Sequence, residues 1–158
     1  MNKKKAYIAL VLILLLGSIL RIYGLGSESF WLDESYTAKS VEFTVPDIII
    51  MTYQNSTVLP QYFGKGAGSV PFYYILTNYW TKLFGLSEFK LRLLSAIFGI
   101  FSIYLIYLLG KSLFNYEVGL ISAFVLSINH QHIFFSQEAR MYSMLVALAL
   151  LSTLFLLS

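Results

Sequence analysis

The chain has 158 residues, of which 58% are hydrophobic and only 12% charged, and its mean hydropathy is +0.71. Soluble domains run nearer 45 to 50% apolar and about 25% charged, so an ordinary water-soluble globule is excluded and the chain reads as a membrane protein. A net charge of +3, with no basic tract beyond Lys3 to Lys5, excludes nucleic acid as a partner, and the absence of cysteine excludes disulfides, thiolate metal sites and a cysteine nucleophile.

In chain order, the first apolar run starts at Ala6, continues past Arg21 and predicts a span over about 6–25, roughly the 20 residues that cross a hydrocarbon core of about 30 Å. Gly24-Leu25-Gly26-Ser27 is a poor cleavage site and further apolar runs follow, so this is a span rather than a cleaved signal peptide. Residues from about 26 to 90 form a long loop. Interfacial helices are predicted in it over about 33–40, 46–52 and 71–84. Asp33 and Glu34 sit in the first turn of one, and Pro46 starts another. Tyr73, Tyr74, Tyr79 and Trp80 are expected at headgroup level. Gly64, Gly66 and Gly68 lack the pattern of a phosphate loop, and Asn55-Ser56-Thr57 is a glycosylation acceptor pattern. Three more spans are predicted over about 91–113, 118–135 and 141–158.

The expected architecture is therefore an all-α polytopic membrane protein: four transmembrane helices plus interfacial helices in a long first external loop. Lys3, Lys4 and Lys5 favour a cytoplasmic amino terminus in the plasma membrane, which puts the 26–90 loop and the 136–140 turn outside. Lys39, Lys65, Lys82, Lys90, Arg92 and Arg140 also fall outside, so the remaining charges do not reinforce this orientation. The last predicted span ends at the last residue, and the chain reads as the amino-terminal part of something larger.

Charged groups near spans need a reason to be there, since one at the bilayer centre costs about 2.5 to 3.5 kcal/mol on insertion scales. Asp33 with Glu34, and Glu138 in the turn Ser136-Gln137-Glu138-Ala139-Arg140, fall on one face by parity and are expected to converge. From spacing alone the simpler reading of each is an interfacial carboxylate, solvated or paired, Glu138 with Arg140 or Arg92. His130 and His132, two positions apart, point to different sides of a helix and make a poor metal pair. A divalent ion held by Asp33, Glu138 and His132 stays open.

Trp31, Asp33, Glu34 and Thr37, then Pro71, Tyr73 and Tyr74, then Trp80, Leu83 to Gly85 and Ser87 to Phe89, then Leu91 to Leu93, Ser95 and Ala96, and finally Ser136 to Tyr142 form an ordered pattern. This pattern resembles the GT-C glycosyltransferases, most closely the protein O-mannosyltransferase, aminoarabinose transferase and rhizobial galacturonosyltransferase-like groups. The resemblance implies a polytopic enzyme that transfers a sugar, with inversion, from a polyprenyl-phosphate donor to an acceptor hydroxyl outside the cytoplasm. It assigns Asp33 as general base, with Glu34 completing the acidic pair and Glu138 as a second acidic site. Arg140 and Arg92 are the candidates for the donor phosphate, with a divalent ion as the alternative. Membrane lipid and the missing carboxy-terminal spans are the other expected partners.

The sequence departs from that pattern at Ser69-Val70-Pro71, where many relatives carry His-Pro-Pro or a similar polar-Pro signature. It departs again at Tyr142, where many carry an aspartate that Glu138, one turn earlier, could replace. The rival expectation is a non-catalytic four-span remnant or accessory subunit that binds lipid or partner helices. A transporter ranks last, because the acids sit at span ends rather than mid-span.

Overall fold

A computed structural model of the chain describes residues 2–53 and 71–157. The Asn55-Ser56-Thr57 pattern, the glycine stretch and Ser69-Val70 lie outside the described residues. Among the described residues eight helices follow one another: α1 Lys3–Ile22, α2 Leu32–Ser40, α3 Val45–Tyr53, α4 Pro71–Phe84, α5 Glu88–Leu113, α6 Tyr116–Ile128, α7 His130–Ser136 and α8 Tyr142–Leu156. No strand occurs among the described residues.

The helix ends follow from local chemistry. Asn2 caps α1 by accepting from the Lys4 amide, and the extended Tyr23 followed by Gly24 at φ 73° stops the helix at Ile22, short of the predicted 25. The Thr44 hydroxyl accepts from the Asp47 amide at the start of α3. Gly85, at φ 82°, closes α4, and Ser87 then caps α5. Asn115 caps α6 with two amide bonds.

The third predicted span is broken. Asn129 adopts an extended conformation and its side chain caps α7 by accepting from the His132 amide, so α6 and α7 meet at 63° rather than running on as one helix. Two described helices, α1 and α5, are long and apolar enough to cross a membrane, and the bent α6–α7 pair makes a third if taken as one span. The fourth predicted span corresponds to α8. At 15 residues it reaches only about 22 Å, against a core of about 30 Å. The expected four therefore reduce to two or three by length.

The central helix is α5, which packs against α1, α4, α6, α7 and α8. One apolar core joins Ala6 and Leu10 of α1 to Ile103 and Tyr107 of α5 and Leu120 and Ala123 of α6. A second joins Tyr73 of α4, Leu94 of α5 and Met144 of α8. Contact between α5 and α6 is close because Gly110 and Gly119 face each other: a Cβ on Gly110 would lie 2.9 Å from the Gly119 Cα. Large apolar side chains such as Val11, Leu12, Leu15 and Ile19 cover the outside of α1, as expected for a helix facing lipid.

The predicted interfacial helix 71–84 has the bounds of α4, but its aromatic residues do not all sit at headgroup level. Of the four expected there, Tyr73 and Tyr74 are buried, Trp80 is partly buried and Tyr79 is well exposed, as are Phe72 and Phe84 of the same helix. Asn78 of α4 donates to the Val41 and Phe43 carbonyls and holds the α2–α3 connection on top of it. The loop helices thus form a layer packed on one end of the bundle, beside the 137–141 turn.

Candidate functional site

The site is built where three segments meet: the chain after α1 with the start of α2, the first turns of α5, and the turn between α7 and α8. Its keystone is the pair formed by Glu34 and Arg92. Arg92 donates from Nε to Glu34 Oε1 at 2.8 Å and from Nη2 to Oε2 at 2.6 Å, the two-point geometry that makes guanidinium–carboxylate pairs strong. Its other three donors go to the carbonyls of Leu25, Glu28 and Ser29. Glu34 in turn accepts from the Ala139 amide at 2.8 Å and the Trp31 amide at 3.4 Å.

All five N–H groups of Arg92 and the four acceptor positions of Glu34 are therefore in use. Two expectations are corrected by this saturation. Arg92 has no donor left for a donor phosphate, and its partner is Glu34 rather than Glu138. Glu34, 1% exposed, braces the site.

Asp33, the neighbour of Glu34, projects differently. Its side chain is 39% exposed and its Oδ2 lies 4.0 Å from Arg140 Nη2, a charge contact longer than a hydrogen bond. Arg140 donates from Nη1 to the Asp33 carbonyl at 3.2 Å and to the Tyr74 hydroxyl at 3.4 Å, and its guanidinium lies over the Tyr142 ring. The Nε of Arg140 is buried and has no partner among the described residues. Beneath it, Ser95 accepts or shares a hydrogen with the Tyr73 hydroxyl at 2.7 Å and donates to the Arg140 carbonyl, while Ser143 donates to the Ser95 carbonyl. The buried Tyr73 hydroxyl is held un-ionised, its pKa raised by desolvation.

Glu138 is the odd carboxylate. It is 7% exposed; its carbonyl accepts from the Arg140 amide, but its carboxylate has no hydrogen-bond partner among the described residues. Burial, then the nearby Glu34 charge, push its pKa up to about 7, with Arg140 acting in the opposite sense. It faces a groove of about 600 Å³ whose walls include Leu20, Tyr23, Trp31 and Phe134, with Glu28 also lining it.

The histidines do not join the acids. His130 is exposed. His132 is turned toward α1, where its Nδ1 lies 2.8 Å from Arg21 Nη2. The cation occupies its Nδ1 while Nε2 is buried without a hydrogen-bond partner among the described residues, and no group of three His, Cys, Asp or Glu able to hold an ion exists among the described residues. The combination Asp33, Glu138 and His132 therefore does not fit a divalent ion, and no step is routed through one.

Arg21 is the residue that the apolar run conceals. Fully buried, it donates to the carbonyls of Gly17, Leu126 and Ser127 as well as meeting His132. It thereby satisfies the α6 carbonyls freed by the break at Asn129. Gln137 adds a second fastening, donating from Nε2 to the Leu20 and Tyr23 carbonyls at the end of α1. The short helix α7 is thus tied to the last turns of α1 at both ends, which sets where the 138–140 turn lies. The signal for Arg21 was its charge: an arginine retained inside an apolar span needs an internal set of acceptors.

Among the described residues the chain is an all-helical bundle with apolar outer faces, and a carboxylate and a guanidinium stand side by side at one end of it. The family model described as dolichyl-phosphate-mannose-protein mannosyltransferase matches residues 68–158, more than half of the chain. The chain belongs to that family and is a membrane glycosyltransferase of the GT-C type. No curated protein and no solved structure matches it. The matched region contains Arg92, Glu138 and Arg140; Asp33 and Glu34 precede it and are joined to it by the bonds just described.

Proposed function

We propose that the chain carries the outward-facing site at which a sugar passes, with inversion, from a polyprenyl-phosphate donor to an acceptor hydroxyl. The observation that carries this reading is the juxtaposition of Asp33 and Arg140. Among the described residues, a half-exposed carboxylate free of hydrogen bonds lies 4.0 Å from a guanidinium whose Nε has no hydrogen-bond partner, so a base and a cation suited to phosphate stand side by side.

In the proposed reaction Asp33 takes the proton of the acceptor hydroxyl, and the oxygen so activated attacks the anomeric carbon. The bond from that carbon to the phosphate oxygen breaks, and its electron pair leaves with the polyprenyl phosphate. Phosphate with a second pKa of about 6 departs without a general acid. Arg140, steadied by Tyr74 and Tyr142, supports the negative charge of the leaving group. Glu34 and Arg92 hold Asp33 in position. The three lysines before α1 favour a cytoplasmic amino terminus, with the site on the opposite face of the plasma membrane.

Transfer from a panel of polyprenyl-phosphate sugars, measured in membranes carrying matched amounts of each variant, tests the assignment. Asp33→Asn should lower transfer by a factor of about 10² to 10⁴, the usual contribution of a positioned base. Arg140→Ala should lose most of the activity and Arg140→Lys should recover part of it. Undiminished transfer by Asp33→Asn would remove Asp33 as the base.

A further inference from the structure

The charges of the site balance in pairs, with one exception. Glu34 is matched by Arg92 at 2.6 Å and Asp33 by Arg140 at 4.0 Å. Glu138 is left over, although it is more than nine-tenths buried, and a buried carboxylate without a partner is costly. It faces the groove between the end of α1 and α7, and Glu28, whose side chain is exposed, adds a second negative charge to the lining. Arg92 also lines the groove, but its five donors are taken by Glu34 and by the carbonyls of Leu25, Glu28 and Ser29, so none reaches the side-chain carboxylate of Glu138 or Glu28.

Three aromatic side chains, Tyr23, Trp31 and Phe134, line the same groove beside Leu20, Leu25 and Gln137 and are 83%, 49% and 48% exposed. Carboxylates combined with aromatic faces are the chemistry that recognises an ammonium group. The depth is also specific. Leu20 and Tyr23 lie in and just past the last turn of a membrane-length helix, the level at which lipid headgroups lie.

We propose that this groove binds an ammonium group, supplied by the headgroup of a zwitterionic lipid and held by Glu138 with Trp31 and Tyr23 around it. The site goes beyond sugar transfer and does not depend on it. The ammonium supplies the missing partner of Glu138, while the acyl chains lie along the exposed apolar face of α1.

The test uses the full chain in phosphatidylglycerol vesicles, with phosphatidylethanolamine replacing that lipid stepwise. Binding is read from Trp31 emission, which is separated from that of Trp80 by subtracting the Trp31→Phe variant. A saturable change is expected in the wild type. In Glu138→Gln the half-saturating fraction should rise about tenfold, or saturation should be lost, as expected when one partner of a desolvated charge pair is removed. Glu28→Gln, a change at an exposed position that leaves the fold untouched, should weaken binding in the same direction by a smaller factor.

Ethylamine added to phosphatidylglycerol vesicles separates the sources. A Glu138-dependent response to it supports the ammonium site with a free amine as sufficient ligand, whereas a response only to phosphatidylethanolamine supports the headgroup. Diacylglycerol reproducing the response, or a response unchanged in both glutamate variants, would overturn the proposal. Sugar transfer assayed on the same preparations reports separately on the Asp33 reading.

Discussion

Removing the guanidinium of Arg92 should be among the most damaging single changes to this protein. Arg92→Ala leaves the Glu34 carboxylate, 1% exposed, with only the Ala139 and Trp31 amides, and it strips the carbonyls of Leu25, Glu28 and Ser29 of their donors. Breaking a buried ion pair from one side costs about 3 to 5 kcal/mol, because a charge is left buried and uncompensated. Arg92→Lys keeps the charge but cannot reach two carboxylate oxygens and three carbonyls at once, so it should recover less than half of that loss. The double variant Glu34→Leu, Arg92→Met removes both charges and should be less destabilised than the sum of its single changes by at least about 2 kcal/mol. Reversible unfolding in mixed micelles of the four proteins, followed by circular dichroism, measures the cycle. The exposed Lys39–Glu42 pair, with side chains 43% and 58% exposed, provides the contrast: Glu42→Gln should cost at most about 1 kcal/mol. If Arg92→Ala cost no more than Glu42→Gln, or if the double change were simply additive, the view of Glu34 and Arg92 as the brace of the site would be wrong.

Three other outcomes are expected. Because Glu138 has its pKa raised from 4.5 to about 7 in the fold, the folded state binds more protons than the unfolded one between those values. Stability should therefore fall as pH rises from 4.5 to 7, and thermal melts of Glu138→Gln should show a flatter profile over that window and a higher midpoint at pH 8. Arg21→Met leaves the Leu126 and Ser127 carbonyls without a side-chain donor and should cost several kcal/mol, at about 1.5 to 3 kcal/mol for each hydrogen bond to a charged group less the gain in apolar packing; a melting temperature within 2 °C of wild type would refute it. Gly119→Ala puts a Cβ 2.6 Å from the Tyr107 carbonyl oxygen, a backbone atom that cannot turn aside, and should destabilise by about 1 to 3 kcal/mol, read from the same unfolding assay.

The fold was legible in proportion to how local its causes are. Long apolar runs require helices in lipid, since a helix satisfies its own backbone there, so α1 and α5 could be read directly. Pro71 and Gly85 mark the ends of α4 by backbone geometry alone. The break at Asn129 was hidden because Val118 to Phe135 carries no formal charge and its polar run, Asn129-His130-Gln131-His132, lies toward one end, where a span tolerates it; Asn129 caps α7 in a structure where Arg21 takes the Leu126 and Ser127 carbonyls beside the break. Tyr73 and Tyr74 suit an interfacial belt by composition, but the bonds of Tyr73 to Ser95 and of Tyr74 to Arg140 draw them inward.

Composition and local pattern alone determined the membrane class, the helices and the residue types at each span end, because hydropathy and capping act over a few neighbouring residues. Which charge met which was decided by the tertiary structure. Glu34 and Arg92 are 58 positions apart and Arg21 and His132 are 111 apart, and side-chain chemistry makes Arg92 as good a partner for Glu138 as for Glu34. Only the crossing of α1, α5 and α7, with the loop helices packed on their ends, brings one arginine into two-point contact with Glu34 and leaves Glu138 facing an open groove.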